Sequence, residues 1–442
     1  MAPFCAEGEH MKRLLKGADI LAWENGSFVC LKNGYLGIVG DRIDYIGRSA
    51  PPAGYDEVKD MTGKLLLPGL VNGHTHTGMS LLRGLGSDLP LQTWLFDTVF
   101  PVEDRLTDED LRIGMELSLL EMIASGTTSF TDMYMGASYC APAILASGMK
   151  ANLCRPLQSF DPEEEPMTCR RMKEMLALYE AWNGAGNGRI VVDFSVHAEY
   201  TCTERMARAA AEEAQKRGAG MHIHLSETES EQHACLEKYG LTPAQWFDKL
   251  GAFEGRAYAA HCVWLTAEDR ALLKARGVTV VHCPESNLKL GSGVADVQAM
   301  LDQGLTVALG TDGAASNNNL NMFEEMHLCA LLHKGTHRDP TLLPMDEVLK
   351  MATVNGAKLQ GRTDTGLLAV GQKADLFALD MDRPHLTPCV DPLSNLLYSA
   401  QAADVCLTMA DGKILYENGA FLTLDAERIL HEARQAAARL LG

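Results

Sequence analysis

Leu66-Leu67-Pro68-Gly69-Leu70-Val71-Asn72-Gly73-His74-Thr75-His76 is an apolar run that ends on two histidines spaced by one residue. Residues 66–72 have the length and texture of a buried β-strand. Further runs of this kind lie at 127–131, 151–154, 190–196, 220–223, 257–260, 278–281 and 306–309, with amphipathic stretches at 108–125, 203–217 and 266–275 between several of them. Eight strand–helix units over about 300 residues predict an α/β fold of the (β/α)8 TIM-like barrel type.

Outside the barrel the texture changes. From 18 to 67 short alternating runs are broken by Gly, Asn and Asp, as in 35–39, the turn Gly40-Asp41 and 43–46. This pattern predicts antiparallel β structure. The tail repeats it at 375–379 and 405–409, with Asp411-Gly412 as a hairpin turn before 414–416. The two chain ends are expected to meet in one small β-sandwich domain built from 1–67 and 368–442, closed by a helix at 426–441. The barrel then spans 68–367, and residues before Met11 read as a loose leader.

A chain of 442 residues with 46% hydrophobic content suits a barrel with an accessory domain. A formal net charge of -19 argues against a nucleic-acid binder, because such binding rests on clustered Lys and Arg. No run approaches ~18 apolar residues, so no membrane span is expected. Residues 1–16 lack an apolar core and a cleavage site, which makes the cytoplasm the expected location. Twelve cysteines without a C-x-x-C pair read as reduced thiols, with Cys262 and Cys283 as buried packing residues. The oligomeric state is left open, a homo-oligomer included.

Barrel enzymes place their chemistry at the C-terminal ends of the strands. His74 and His76 share strand parity, so both imidazoles can face the mouth and one metal. The fifth run ends in His222-Ile223-His224-Leu225-Ser226-Glu227. His224 is a candidate third ligand with Glu227 above it, but His222 has the same parity and parity cannot choose between them. His261 follows the sixth run and Asp312 the eighth; taken singly, these suit a core histidine and a helix N-cap. Taken together, three imidazoles and one carboxylate suit a borderline metal such as zinc with an open position for water.

Five segments as a set resemble the amidohydrolase superfamily. They are Leu67 to His76, the HLSET segment from His224, Ala260-His261-Cys262-Val263, the stretch from His282-Cys283-Pro284 to Leu290, and Gly310-Thr311-Asp312-Gly313 through Asn318. Within it the set resembles the 5-methylthioadenosine/S-adenosylhomocysteine deaminases. The resemblance implies that His74, His76, His224 and Asp312 hold one divalent metal per chain, Zn2+ first and Fe2+ as the alternative. It implies that Asp312 takes the proton from the attacking water, Glu227 protonates purine N1 and His261 polarises the attacking oxygen. The run at 190–196 contains no Lys, which fits a site for one metal.

For the substrate, the resemblance implies that Glu103 grips the ribose hydroxyls and His197 contacts the ligand. Arg155 and Arg171 would meet the carboxylate of S-adenosylhomocysteine, and Trp94 and Ser316 would line the pocket. The segment 161–168 is longer than the family pattern, and Arg170 adjoins Arg171 there. The expected partner is a small-molecule nucleoside. Two other readings stand beside it: a deaminase of guanine, a triazine or another aminoheterocycle, and a catalytically silent metal-binding barrel.

Overall fold

A computed structural model describes residues 11–52 and 54–442, so the leader before Met11 lies outside the described residues. Eight parallel strands form the barrel in chain order: β1 (Leu70–Thr75), β2 (Thr127–Met133), β3 (Lys150–Leu157), β4 (Ile190–Val196), β5 (Met221–Leu225), β6 (Ala257–His261), β7 (Thr279–His282) and β8 (Thr306–Leu309). The first and eighth strands meet at the mouth. There the Asp312 N–H donates to the His74 carbonyl at 2.9 Å. The Asn72 side chain donates to Thr311 Oγ1 at 2.7 Å and accepts the Thr311 N–H at 3.0 Å.

The run 66–72 is two strands, not one. Lys64–Pro68 belongs to the other sheet, antiparallel to Leu376–Asp380 and parallel to Lys12–Glu24; β1 begins only at Leu70. The break falls at Gly69, where any Cβ would collide with the Thr128 side chain. Pro68 before it lacks an N–H to continue a ladder.

Threonine side chains cap the helices Asp108–Ala124, Glu204–Arg217, Glu229–Tyr239 and Ala267–Arg276. Each accepts a backbone N–H that the first helical turn leaves without a partner. The helices expected from Thr203 and Thr266 therefore start one residue later.

The chain ends form one nine-stranded hydrogen-bonded sheet around a core that includes Leu15, Ile20, Leu36, Ile38, Leu66, Leu376 and Met409. It is mixed, not antiparallel throughout, because Lys12–Glu24 runs parallel to Glu57–Asp60 and to Lys64–Pro68. The last helix, Ala426–Leu441, buries Ile429, Ala433, Ala436 and Leu440 and pairs Arg428 with Glu116 at 3.1 Å on the helix Asp108–Ala124. Every cysteine among the described residues is free, and no helix there is long and apolar enough to cross a membrane.

Candidate active site

The ends of β1, β5, β6 and β8 bring His74, His76, His224, His261 and Asp312 together. The ligand atoms of His74, His76 and His224 lie within 4.8 Å of one another, as do those of His74, His261 and Asp312. The backbone bends sharply to aim them: Ser226, His261, Cys262 and Asp312 have φ of 48°, 70°, 52° and 63°. Non-glycine residues adopt this region at a cost, and such positions cluster at functional sites.

The proton positions on two imidazoles follow from their neighbours. His76 Nδ1 donates to the Met133 carbonyl at 2.6 Å, and His224 Nδ1 donates to the His197 carbonyl at 2.9 Å. A carbonyl only accepts, so both Nε2 atoms carry lone pairs in the neutral rings. These two Nε2 atoms face each other at 3.2 Å, and Asp312 Oδ1 lies 3.1 Å from His76 Nε2 and 3.4 Å from His74 Nε2. Buried His74 Nε2 has no hydrogen-bond partner. Lone pairs converging on one point in a buried site repel unless a cation lies among them, so this donor set fits a divalent metal.

Two of the three imidazoles agree with that fit. Burial drives the His224 imidazole well below its ordinary value and lowers His74 to about 4, which favours neutral rings, whereas His76 is raised despite its burial because Asp312 lies beside it. Burial works against ionisation of Asp312, yet the His74 and His76 imidazoles beside its Oδ1 hold the carboxyl well below the usual range. Its other oxygen accepts from the hydroxyls of Ser286 at 2.7 Å and Ser316 at 2.8 Å. His222 is separated from His224 by depth. Its Nε2 sits 3.1 Å from His74 Nδ1, its ring lies tilted at 36° against Tyr258 with centroids 4.4 Å apart, and it lies outside the metal-facing group.

Above this cluster, Glu227 accepts from Ser292 Oγ at 3.0 Å and lies 3.8 Å from His261 Nε2. His261 Nδ1 is 2.9 Å from Asn287 Oδ1, which turns Nε2 towards the cleft. Burial raises the Glu227 carboxyl, with the charge of His261 opposing. The cleft has Met79, Leu91, Trp94, Leu95, Phe100 and Leu290 as apolar wall and Glu103, Arg155, His197 and Tyr200 among its polar groups. Trp94 begins the π-helical turn Trp94–Val99, a distortion frequent at functional sites. Glu103 is buried and accepts from the Tyr134 hydroxyl.

Two residues expected at the pocket are placed elsewhere. Ser316 stands behind Asp312 and orients it, and it is not among the residues that line the cleft. Arg171 is likewise absent from the cleft walls and donates to the Gln158 carbonyl at 3.4 Å. Arg155 does reach the cleft, with its Nε donating to Glu174 at 2.8 Å. Sequence reasoning missed Tyr134, Ser286, Asn287 and Ser292. Ser286 and Asn287 lie inside a segment read as a motif, whereas Tyr134 carried no signal beyond its position one residue after β2.

The amidohydrolase family model matches residues 65–415. The chain belongs to the amidohydrolase family. This amidohydrolase is 46% identical over 440 residues to the 5-methylthioadenosine/S-adenosylhomocysteine deaminase of Acetivibrio thermocellus, covering 98% of this chain and 100% of that protein. It is also 46% identical to the 5'-deoxyadenosine deaminase of Methanosarcina acetivorans, over 93% of this chain and 94% of that one. Among solved structures, an adenosine deaminase from Xanthomonas campestris with bound zinc superposes with a TM-score of 0.92 at 30% identity, covering 98% of this chain and 99% of that one.

Proposed function

We propose that this amidohydrolase is a hydrolytic deaminase acting on a cyclic amidine: it replaces the 6-amino group of an adenosine-type nucleoside with oxygen from water and releases ammonia. Candidate substrates are 5-methylthioadenosine, S-adenosylhomocysteine, adenosine and 5'-deoxyadenosine. The observation that carries the reading is the convergence of imidazole lone pairs and Asp312 beneath Glu227 and His261, in a cleft with an apolar wall. The names of the relatives at 46% identity point to the same substrate class.

His74, His76, His224 and Asp312 would hold one divalent metal, which we take to be zinc, and it supplies the Lewis acidity that makes water nucleophilic near neutral pH. Asp312 receives a proton from the attacking water. Glu227, raised by burial, delivers a proton to ring nitrogen N1 as the oxygen adds to C6. His261, whose Nδ1–H is braced by Asn287 Oδ1, turns its Nε2 lone pair to the attacking water and polarises its O–H. A proton then passes to the departing amine, so water and nucleoside become the 6-oxo product and ammonia. Glu103, with Tyr134 on one oxygen, keeps the other for the sugar hydroxyls. Trp94 and His197 bound the ligand. The free thiols suit a reducing compartment, and we place the protein in the cytoplasm.

The test is metal analysis together with ammonia release from the four nucleosides and guanine. One zinc per chain and turnover of at least one adenosine-type nucleoside are expected. Turnover of guanine alone, or no turnover by metal-loaded protein, would overturn the reading.

A further inference from the structure

Behind the ends of β7 and β8 stands a buried acid that takes no part in these steps. Glu325 lies in the first turn of the helix Met322–His337 and is fully buried. Its Oε1 accepts from Asn317 Nδ2 at 2.5 Å, and its Oε2 accepts the Glu285 N–H at 3.3 Å. Asn317 belongs to the segment after β8, and the same amide nitrogen donates to the Thr311 carbonyl at 2.7 Å. Glu285 belongs to the segment after β7, in the short helix Pro284–Lys289. The N–H groups of a first helical turn have no helical partner, and Glu325 supplies one for Glu285. One carboxyl group therefore bridges the segments that follow two paired barrel strands.

Both segments carry the hydrogen bonds that aim the chemistry. From the segment after β7, Ser286 donates to Asp312 Oδ2 at 2.7 Å, and Asn287 Oδ1 is 2.9 Å from His261 Nδ1. From the segment after β8, Ser316 donates to the same Asp312 oxygen at 2.8 Å. The two hydroxyls meet on one oxygen only while the segments keep their spacing. Asp312 and His261 have φ of 63° and 70°, a conformation that persists where the surroundings over-determine it. A hydroxyl oxygen and a carboxylate oxygen both accept, so the bridge holds in either charge state of Glu325. An apolar side chain would fill this space without the cost of burying a polar group, so the two contacts are what the carboxyl adds.

We propose that Glu325 is a positioning residue: it fixes the segment after β7 against the segment after β8, and through Ser286, Asn287 and Ser316 it holds Asp312 and His261 in place for the attack of water. This inference rests on the roles of Asp312 and His261 proposed above.

Three single variants, one double variant and one set of distances test it. Glu325→Ala removes both acceptors, and kcat should fall about 10–100-fold while metal content is unchanged and KM stays within about threefold. Glu325→Gln keeps an oxygen for the shorter contact, with Asn317, and should return to within about fivefold of the parent. Asn317→Ala should lose at least as much as Glu325→Ala. The double variant should stay within about threefold of Asn317→Ala, because residues that act through one contact are not additive. Parent-like kcat in folded, metal-loaded Glu325→Ala, equal activity of Glu325→Ala and Glu325→Gln, or losses that multiply in the double variant would overturn the proposal. Should Glu325→Ala fail to fold, Asn317→Ala decides, and parent-like kcat there overturns it. A crystal structure of Glu325→Ala, or of Asn317→Ala in its place, needs no turnover and so separates this inference from the deaminase reading. At least one of the contacts Ser286–Asp312, Ser316–Asp312 and Asn287–His261 should be lost. All three at parent distances would overturn the positioning role even if ammonia is released. A parent that releases no ammonia overturns the deaminase reading and leaves these distances to decide this one.

Discussion

At the floor of the barrel Asp193 is fully buried and fully partnered. It accepts from two Arg256 guanidinium nitrogens at 2.6 Å each, from the Gly220 N–H and the Asn152 amide at 2.7 Å each, and from the Tyr258 hydroxyl at 3.0 Å. At the mouth His74 Nε2 has no partner and the His76 and His224 Nε2 atoms point lone pairs at each other. Both layers bury polar groups at comparable depth. The Asp193 carboxylate is closed by protein on every side, although Asn152 Oδ1 beside it stays unpaired, whereas the mouth leaves a set of valences aimed at one point. The convergence of unpaired atoms on one point, not the presence of an unpaired atom, therefore distinguishes the working layer from the supporting one.

The largest expected effect strikes the mouth alone. Removal of metal by a chelator should cut kcat on the order of 10³-fold or more, with recovery on adding zinc back, as measured by ammonia release against metal content. Glu227→Gln comes next, with a fall of roughly 10²–10⁴-fold in kcat at unchanged metal content and unchanged thermal unfolding. Because Glu227 acts in its protonated form, kcat/KM of the parent should fall as pH rises through a carboxyl value that burial has raised. A pH–rate profile flat across that limb would remove Glu227 as the acid.

The floor should behave in the opposite way. Arg256→Met leaves the Asp193 charge buried without its partner and should cost about 3–5 kcal/mol of stability in urea unfolding. The folded fraction should keep near-parent kcat/KM, and a matching loss of catalysis would dissolve the distinction between the layers.

Smaller effects sharpen it at the substrate. Arg155→Met should cost S-adenosylhomocysteine about 1.5–3 kcal/mol in kcat/KM and 5-methylthioadenosine almost nothing, and Arg171→Met should do less, because only Arg155 lies on the cleft wall. Equal losses at both positions would mean that Arg171 turns inward when ligand binds. Tyr134→Phe should have the smallest effect, about 1 kcal/mol, expressed more strongly on ribosides than on 2'-deoxyribosides. The same loss on both sugars would show that Glu103 does not read the hydroxyls.

The strands were legible wherever an apolar run served one sheet. Residues 190–196 and 306–309 are β4 and β8 to the residue, and 257–260 falls one short of β6. The run 66–72 misled because periodicity has no mark for a change of sheet within continuous apolar sequence; the mark was steric, at Gly69 against Thr128. In the site, residue type and strand end were enough to select His74, His76, His261 and Asp312. They could not rank His222 against His224, since two residues along a strand keep the same face and differ only in height. Ser316 and Arg171 were read by position in a motif, and a motif does not say whether a side chain meets the ligand or the residue behind it.

The strand Lys64–Pro68 leaves the ribosome before any barrel strand, yet its antiparallel neighbour Leu376–Asp380 follows the last of them. Throughout synthesis the N-terminal ribbon must therefore wait with one open edge, a template for pairing with other nascent chains. The barrel can gather all its metal-facing residues in that interval, so a chain cut after β8 would hold the chemistry and still be lost to aggregation. Biogenesis, not catalysis, is where the return of the C-terminal strands has its effect.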